Sequence, residues 1–253
     1  MIAKLRFIYR RTVAIVFLFV VWDAAARFGV VDTFILPKID AVAGAFWEML
    51  RDGELFWNIA VSLRRTGSGF AAAIAFGIPL GLLLGWFPKA EEYLDPLLQM
   101  FRNTSVMAMF PVFILVFGLG ELSKSAVVFW GSLWPSLLNT IGGVKGVDPI
   151  LIKSARSMGM STSELFGKVI LPAALPEIMT GIRLSAGVAV ILLVAAEMLG
   201  ATGGLGFQIF NSQQKYDIPA MYAGILTISF LGILINFLLV RLERRVAYWK
   251  RQR

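Results

Sequence analysis

The sequence predicts an all-α membrane protein with six transmembrane helices, and three observations carry that reading. Of the 253 residues, 58% are hydrophobic and only 16% charged, with a mean hydropathy of +0.75; soluble domains sit nearer half apolar and a quarter charged. Apolar stretches of the length that crosses a bilayer recur at 12–31, 67–87, 97–119, 124–143, 177–199 and 219–240. Nothing alternates as barrel strands do, and hydrocarbon forces each spanning segment to satisfy its own backbone, so all six read as helices. With no linker, low-complexity segment or internal repeat, residues 1–253 form a single transmembrane domain.

Composition also excludes chemistry. The chain has no cysteine and no histidine, which removes disulfides, thiol nucleophiles, histidine bases and most zinc sites. Its carboxylates are few, scattered and mostly at span boundaries, so no catalytic constellation, metal site or cofactor site is predicted. The net charge of +8 lies beside apolar spans, where membrane orientation explains it better than nucleic acid. With both termini cytoplasmic, and Arg27 and Arg183 left out as lying near span ends, the inner segments hold sixteen Lys and Arg residues against six outside. Whatever docks on the inner connections is cytoplasmic.

Taken in order, the first span follows Lys4, Arg6, Arg10 and Arg11 and lacks a small-residue cleavage site, so it reads as uncleaved. Within it, Asp23 and Arg27 stand four apart, the spacing of an intrahelical pair. The outer connection from Asp40 to Asp52 sets Val42, Phe46, Trp47, Met49 and Leu50 among charges, as in a helix lying on the membrane surface. Arg64 and Arg65 fall on the outer side, where they either draw an anion to the entrance or pair with Asp52 and Glu54. The second span repeats small residues at Gly69, Ala73, Gly77, Gly81 and Gly85, a stripe that admits a neighbouring backbone. A sliding interface and ordinary tight packing both fit it, and Pro79 predicts a kink.

Arg102, Asn103, Thr104 and Ser105 interrupt the third span. Together with Asn139 and Thr140 in the fourth they are candidates for a path through the bundle interior; the first four fit the wet end of span three equally well. The fifth span carries a shorter small-residue stripe, Ser185, Ala189, Ala196 and Gly200, and ends near Glu197. That acid either shapes a path's charge or forms a structural ion pair. Trp22, Trp86, Trp130 and Trp134 read as packing or interface anchors.

Between spans four and five lies the one well-capped polar stretch, Asp148 to Pro172. Asp148 caps a helix whose first residue is Pro149 and which ends at Gly159, a residue that accepts a left-handed conformation. Ser161 to Glu164 forms a capping box that opens a second short helix through Leu165, Phe166, Val169 and Ile170. Two short helices joined by a glycine corner make a shape suited to docking.

Residues 153–172, KSARSMGMSTSELFGKVILP, resemble the EAA loop of bacterial ABC importer permeases: Ala155, Gly159, Ile170, Leu171 and Pro172 match its pattern. PVFILVFGLGELSK (111–124), LLNTIGGVKGVDP (137–149), LPAALPEIMTGIRL (171–184) and VAAEMLGATGGLGF (194–207) are similar to the sulfonate, taurine and nitrate branch. The resemblance covers the chain from about residue 57 onward. It implies a type I importer permease core in the bacterial inner membrane, with a cytoplasmic coupling helix pair over 148–172. It further implies a second permease copy as a homodimer, cytoplasmic ATPase subunits carrying ATP and Mg, and a periplasmic or lipid-anchored solute-binding protein. The coupling residues it implies are Ile150, Leu151, Lys153, Ala155, Arg156, Met158, Gly159, Ser161, Glu164 and Leu165. Lys153 stands where the family has Glu, so the contact at that point differs. The implied solute is a small anion such as a sulfonate, taurine or nitrate. Uncharged heterocycles and vitamin precursors are the nearest alternative, and a channel or scaffold without an ATPase is the rival of another class. ATP chemistry belongs to another subunit, because the glycine clusters at 118–120 and 203–206 lack the lysine of a phosphate loop.

Overall fold

The computed structural model describes residues 2–246; Lys250, Arg251 and Arg253, counted above among the inner charges, lie outside them. The described residues form helices without strands. Helix α1 (Ile2–Arg27) leads to the shorter helix α2 (Ile39–Arg51) and the long α3 (Glu54–Trp86). Then come α4 (Pro88–Arg102), α5 (Val106–Phe117) and α6 (Glu121–Lys145), followed by α7 (Pro149–Ser157), α8 (Thr162–Leu165) and α9 (Leu171–Met198). Helices α10 (Leu205–Gln214) and α11 (Ile218–Val246) complete the bundle.

Helix α6 is its axis. The predicted stripe on α3 presses against it: a Cβ added at Gly69 would lie 2.5 Å from the Ser125 carbonyl oxygen, and one at Gly85 would lie 2.7 Å from Val144 Cβ. Both contacts advance along the two sequences together, so α3 and α6 run parallel. On the opposite side Gly131 faces Leu192 and Gly143 faces Ala174, so α9 runs antiparallel to α6. Two parallel helices demand a return between them, and α4–α5 is the chain available for it. The Lys145–Glu91 ion pair, at 2.5 Å, ties the start of α4 to the end of α6.

That return corrects the expected unbroken span at 97–119. The chain bends there by 91° between α4 and α5. The interrupting residues break it by serving the backbone: Thr104 donates to the Met100 carbonyl, Asn103 to that of Gln99, and the Ser105 hydroxyl accepts the Ala108 amide to cap α5. Among the described residues three helices are long and apolar enough to cross a membrane unaided: α3, the rod Thr162–Met198, and α11. Helix α6 has the length but carries Ser123, Ser132, Ser136 and Thr140, all buried against protein, where lipid does not reach them.

A second correction concerns the expected pair of short helices over 148–172. The first exists as α7. The second, α8, runs through a π-helical turn (Phe166–Ile170) into α9, so that Thr162–Met198 is one helix of 37 residues. Leu171 and Pro172 do not stop it: the π turn just before the proline shifts the bonding pattern there, with the Leu171 amide donating to the Phe166 carbonyl five residues back. The expected amphipathic helix is present as α2, with Val42 and Met49 buried in a cluster with Leu55, Leu205, Ala220 and Ala223. Helix α10 was not anticipated: it is too short and polar to read as a span, and it is buried by α9, α11 and α3.

Filling the α3–α6 seam tests this packing. At Gly81 a Cβ would sit 2.6 Å from Thr140 Cβ and 2.8 Å from the Leu137 carbonyl oxygen, whereas at Gly142 it meets nothing within 4 Å. Gly81→Val is expected to cost about 1–3 kcal/mol from overpacking, read as a lowered thermal midpoint in detergent, while Gly142→Ala leaves it unchanged. Equal midpoints for the two variants would contradict the seam.

Candidate functional site

Two places concentrate polar chemistry, one at each end of the bundle: the α9–α10 end, which the charge bias expects outside and which is called outer here, and the α7 end, which it expects inside, called inner. At the outer end, Asn58, Ser62 and Arg65 recur at helical spacing along one face of α3, and all three are buried. Opposite them, Glu197 closes the last turn of α9 and is fully buried. Its carboxylate accepts Arg65 Nη1 at 2.8 Å, the Ser62 hydroxyl at 2.9 Å and the Gly206 amide at 2.9 Å. The remaining donors of Arg65 bind Glu121 at the start of α6, Nε at 2.7 Å and Nη2 at 2.5 Å, while Nη1 also reaches the Gly203 carbonyl at 2.6 Å.

The loop between α9 and α10 is held by the same groups. Asn58 Oδ1 accepts the Gly204 amide at 2.8 Å and the Ser62 hydroxyl accepts that of Leu205 at 2.9 Å. Gly204 has a φ of +109°, and a Cβ there would overlap the Glu197 carboxylate, so the chain lies directly on the acid. A buried carboxylate needs its full set of donors, and here two side chains of α3 and a backbone amide in the first turn of α10 supply them.

Arg64 and Arg65 therefore do not pair with Asp52 and Glu54. Arg64 is exposed and reaches Glu121 at 3.1 Å, while Arg65 is committed to Glu121 and Glu197. Glu121 precedes the apolar run of α6. Donation from Arg65, and then Arg64, holds its carboxyl at about 2, below the ordinary 4.5. A depressed value stabilises the contact above the ordinary carboxylate range and is lost only as pH falls toward about 2. Lys124 turns back to cap its own helix entrance, donating to the carbonyls of Leu119 and Gly120.

The other path candidates are not gathered with this cluster. Arg102, Asn103 and Ser105 are exposed at the α4–α5 corner and Thr104 is half-buried. Asn139 donates to the Pro135 carbonyl of its own helix and packs beside Gly181, and Thr140 is sealed against Gly81. The paired Asp23 and Arg27 meet at 2.6 Å. Trp130 stacks edge-on with Trp134 and Phe101, and Trp86 with Phe166, as packing aromatics. Among the described residues no cluster of acids could hold a metal ion.

At the inner end, Asp148 Oδ1 accepts the Ile150 amide at 2.8 Å, Gly159 turns the chain at a φ of +78°, and Ser161 and Glu164 cap each other reciprocally. Glu164 lies well below the apolar part of its helix; Lys168, with help from Ser161, lowers its carboxyl to about 2. Two of the expected docking residues face the other way. Ala155 and Leu165 are buried in the subunit's own core with Val144, Ile170 and Ala174, which glues α7 to the base of the α8–α9 rod. Ile150, Leu151, Lys153, Arg156 and Met158 remain exposed.

Sequence reasoning found Glu197, Arg65 and the glycines separately and missed that they form one site. The available signal was an acid at membrane depth followed at short range by Gly203-Gly204-Leu205-Gly206, with Asn58, Ser62 and Arg65 on one helix face.

The bundle carries a closed polar knot at one end and an exposed elbow at the other. Comparison with known proteins specifies the class. Residues 77–248 match the family described as binding-protein-dependent transport system inner membrane component, and the chain belongs to that family. It is 37% identical over 230 residues to a putative aliphatic sulfonates transport permease, SsuC of Bacillus subtilis, covering 91% of this chain and 83% of that one. To the taurine transport system permease TauC of Escherichia coli it is 34% identical over 239 residues, covering 92% and 86%. Among solved structures it shares the fold of the inward-facing MetNI methionine ABC transporter, with a TM-score of 0.67 and 21% identity, over 79% of this chain and 96% of that one. The chain is the permease subunit of an ABC importer, which works with separate ATPase subunits and a solute-binding protein.

The knot is tested by breaking it. Arg65→Ala or Glu197→Ala strands a buried charge and is expected to cost about 3–5 kcal/mol. The double variant Arg65→Ala, Glu197→Ala should lose less than the sum of the single changes. Denaturant unfolding in mixed micelles measures this; strictly additive losses would contradict the coupling.

Proposed function

We propose that this permease imports a small solute bearing a sulfonate group, as a homodimer in the bacterial inner membrane with both termini cytoplasmic. The observation that carries the solute class is the shared chemistry of the two relatives above: aliphatic sulfonates and taurine all present a tetrahedral sulfonate. The excess of Lys and Arg on inner connections supports the orientation, with α1, α3, α4–α5, α6, α9 and α11 as six passes. ATP and Mg reside on the ATPase partner, and its closure reaches the bundle through the exposed face of α7.

The stiffness of that route supports the mechanism. Helix α7 is fixed by Ala155 to the base of a rod about 55 Å long, at 1.5 Å per residue. A push on α7 therefore moves α9, and with it the loop that closes over Glu197. The exposed faces of α9, at Leu184, Gly187 and Ile191, and of the α4–α5 corner form the path between two copies. Arg102, Asn103 and Ser105 supply its polar groups. Arg65 and Glu197 hold the outer scaffold in place, and Arg64 contributes positive charge at the entrance.

A thermal-shift screen of the cognate binding protein tests the solute. Taurine and short alkanesulfonates are expected to stabilise it, and stabilisation by uncharged heterocycles alone would overturn the assignment. The path is tested on the naturally cysteine-free chain: Asn103→Cys and Ser105→Cys should react with a water-soluble maleimide in the assembled transporter, and Thr140→Cys should not. Protection of both corner positions from the reagent would remove the corner from the path.

A further inference from the structure

Helix α7 presents two kinds of surface at once. At 100° per residue, Ile152 and Ala155 share the face turned to the bundle, and Ile150, Ser154 and Ser157 lie opposite. Leu151 and Met158 flank that outer face on one side, Lys153 on the other, with Arg156 beyond it. Ile150 is 69% exposed and Met158 79%, outside any apolar span, where large apolar side chains are left bare for a protein partner. Among the described residues neither Lys153 nor Arg156 enters an ion pair, and both are exposed.

The acids within reach are already engaged. Asp148 caps α7 through the Ile150 amide, and Glu164 holds Ser161 and Lys168. The docking face thus carries two uncommitted cations and no uncommitted anion. Docking removes water from such cations, and an opposing neutral or basic surface leaves that loss uncompensated.

We infer that the ATPase surface receiving this elbow is acidic where it meets Lys153 and Arg156, and apolar where it meets Leu151 and Met158. This rests on the reading that α7 is the docking helix. The acidic groups fix the partner's orientation and association rate more than its affinity, which the apolar side chains supply. The same arrangement disfavours an ATPase whose corresponding surface is basic, so the elbow selects its own motor.

Zero-length carbodiimide coupling of the purified permease–ATPase complex tests this directly, because the reagent joins an amine to a touching carboxylate as an amide with net loss of water. Mass spectrometry is expected to find Lys153 joined to an Asp or Glu of the ATPase, and Lys153→Arg, which keeps the charge but cannot couple, should abolish that product. Lys153→Glu with Arg156→Glu should lower ATPase retention about tenfold at low salt and flatten its salt dependence. Ile150→Asp and Met158→Asp separate the two readings. If they release the ATPase while no Lys153 product forms and the charge reversal leaves retention unchanged, the acidic surface is overturned and the docking helix stands. If they leave the ATPase bound, docking through α7 falls and the inference falls with it.

Discussion

A carboxylate withdrawn from water at membrane depth constrains everything at the outer end of this bundle. Glu197 is fully buried, and an isolated charge in that setting is too costly to persist. Arg65 crosses from α3 to meet it, and the backbone of the loop before α10 folds onto it because Gly204 and Gly206 leave room. Each partner is itself anchored: Ser62 passes its hydrogen bond from Leu205 to the acid, and Glu121 fixes the far side of the guanidinium. Removing one member strands the others, so α3, α6, α9 and α10 are held as a unit.

Below that knot the helices are held by shape. The small residues of α3 and the serines and threonine of α6 let two backbones approach where no hydrophobic effect drives helices together, since lipid is as apolar as leucine. The hydroxyls of Ser136 and Thr140 bond carbonyls of their own helix, and Ser185 of α9 bonds the Ser132 carbonyl across the interface at 2.6 Å. The α3–α6–α9 core is therefore closely packed. Helix α4, by contrast, has no buried residue.

The inner end has the opposite character. Ala155 and Leu165 weld the elbow to the bundle while Ile150, Leu151 and Met158 stay bare. One side of a nine-residue helix thus belongs to the subunit, and the other is the side proposed to meet the ATPase. With no helix end between α8 and α9, the base of the elbow and the knot around Glu197 lie at opposite ends of one helix. A transport subunit needs such a connection, since ATP is hydrolysed on a different chain.

Composition, apolar run length and caps alone determined that this is a helical membrane protein, where its outer surface helix lies, and where the elbow begins and turns. Those features are set by neighbours a few residues apart: Asp148 before Pro149, Ser161 before Glu164, and a glycine able to adopt a φ of +78°. The tertiary structure decided which partner each charge chose, that the third span is bent by 91°, and that the second short helix has no end. It also decided that Ala155 and Leu165 point inward. The physical reason is distance along the chain: Arg65 and Glu197 are separated by 132 residues, and only packing brings them together. Whether Ser105 starts a new helix or Pro172 stops an old one depends on what the surrounding bundle leaves unsatisfied.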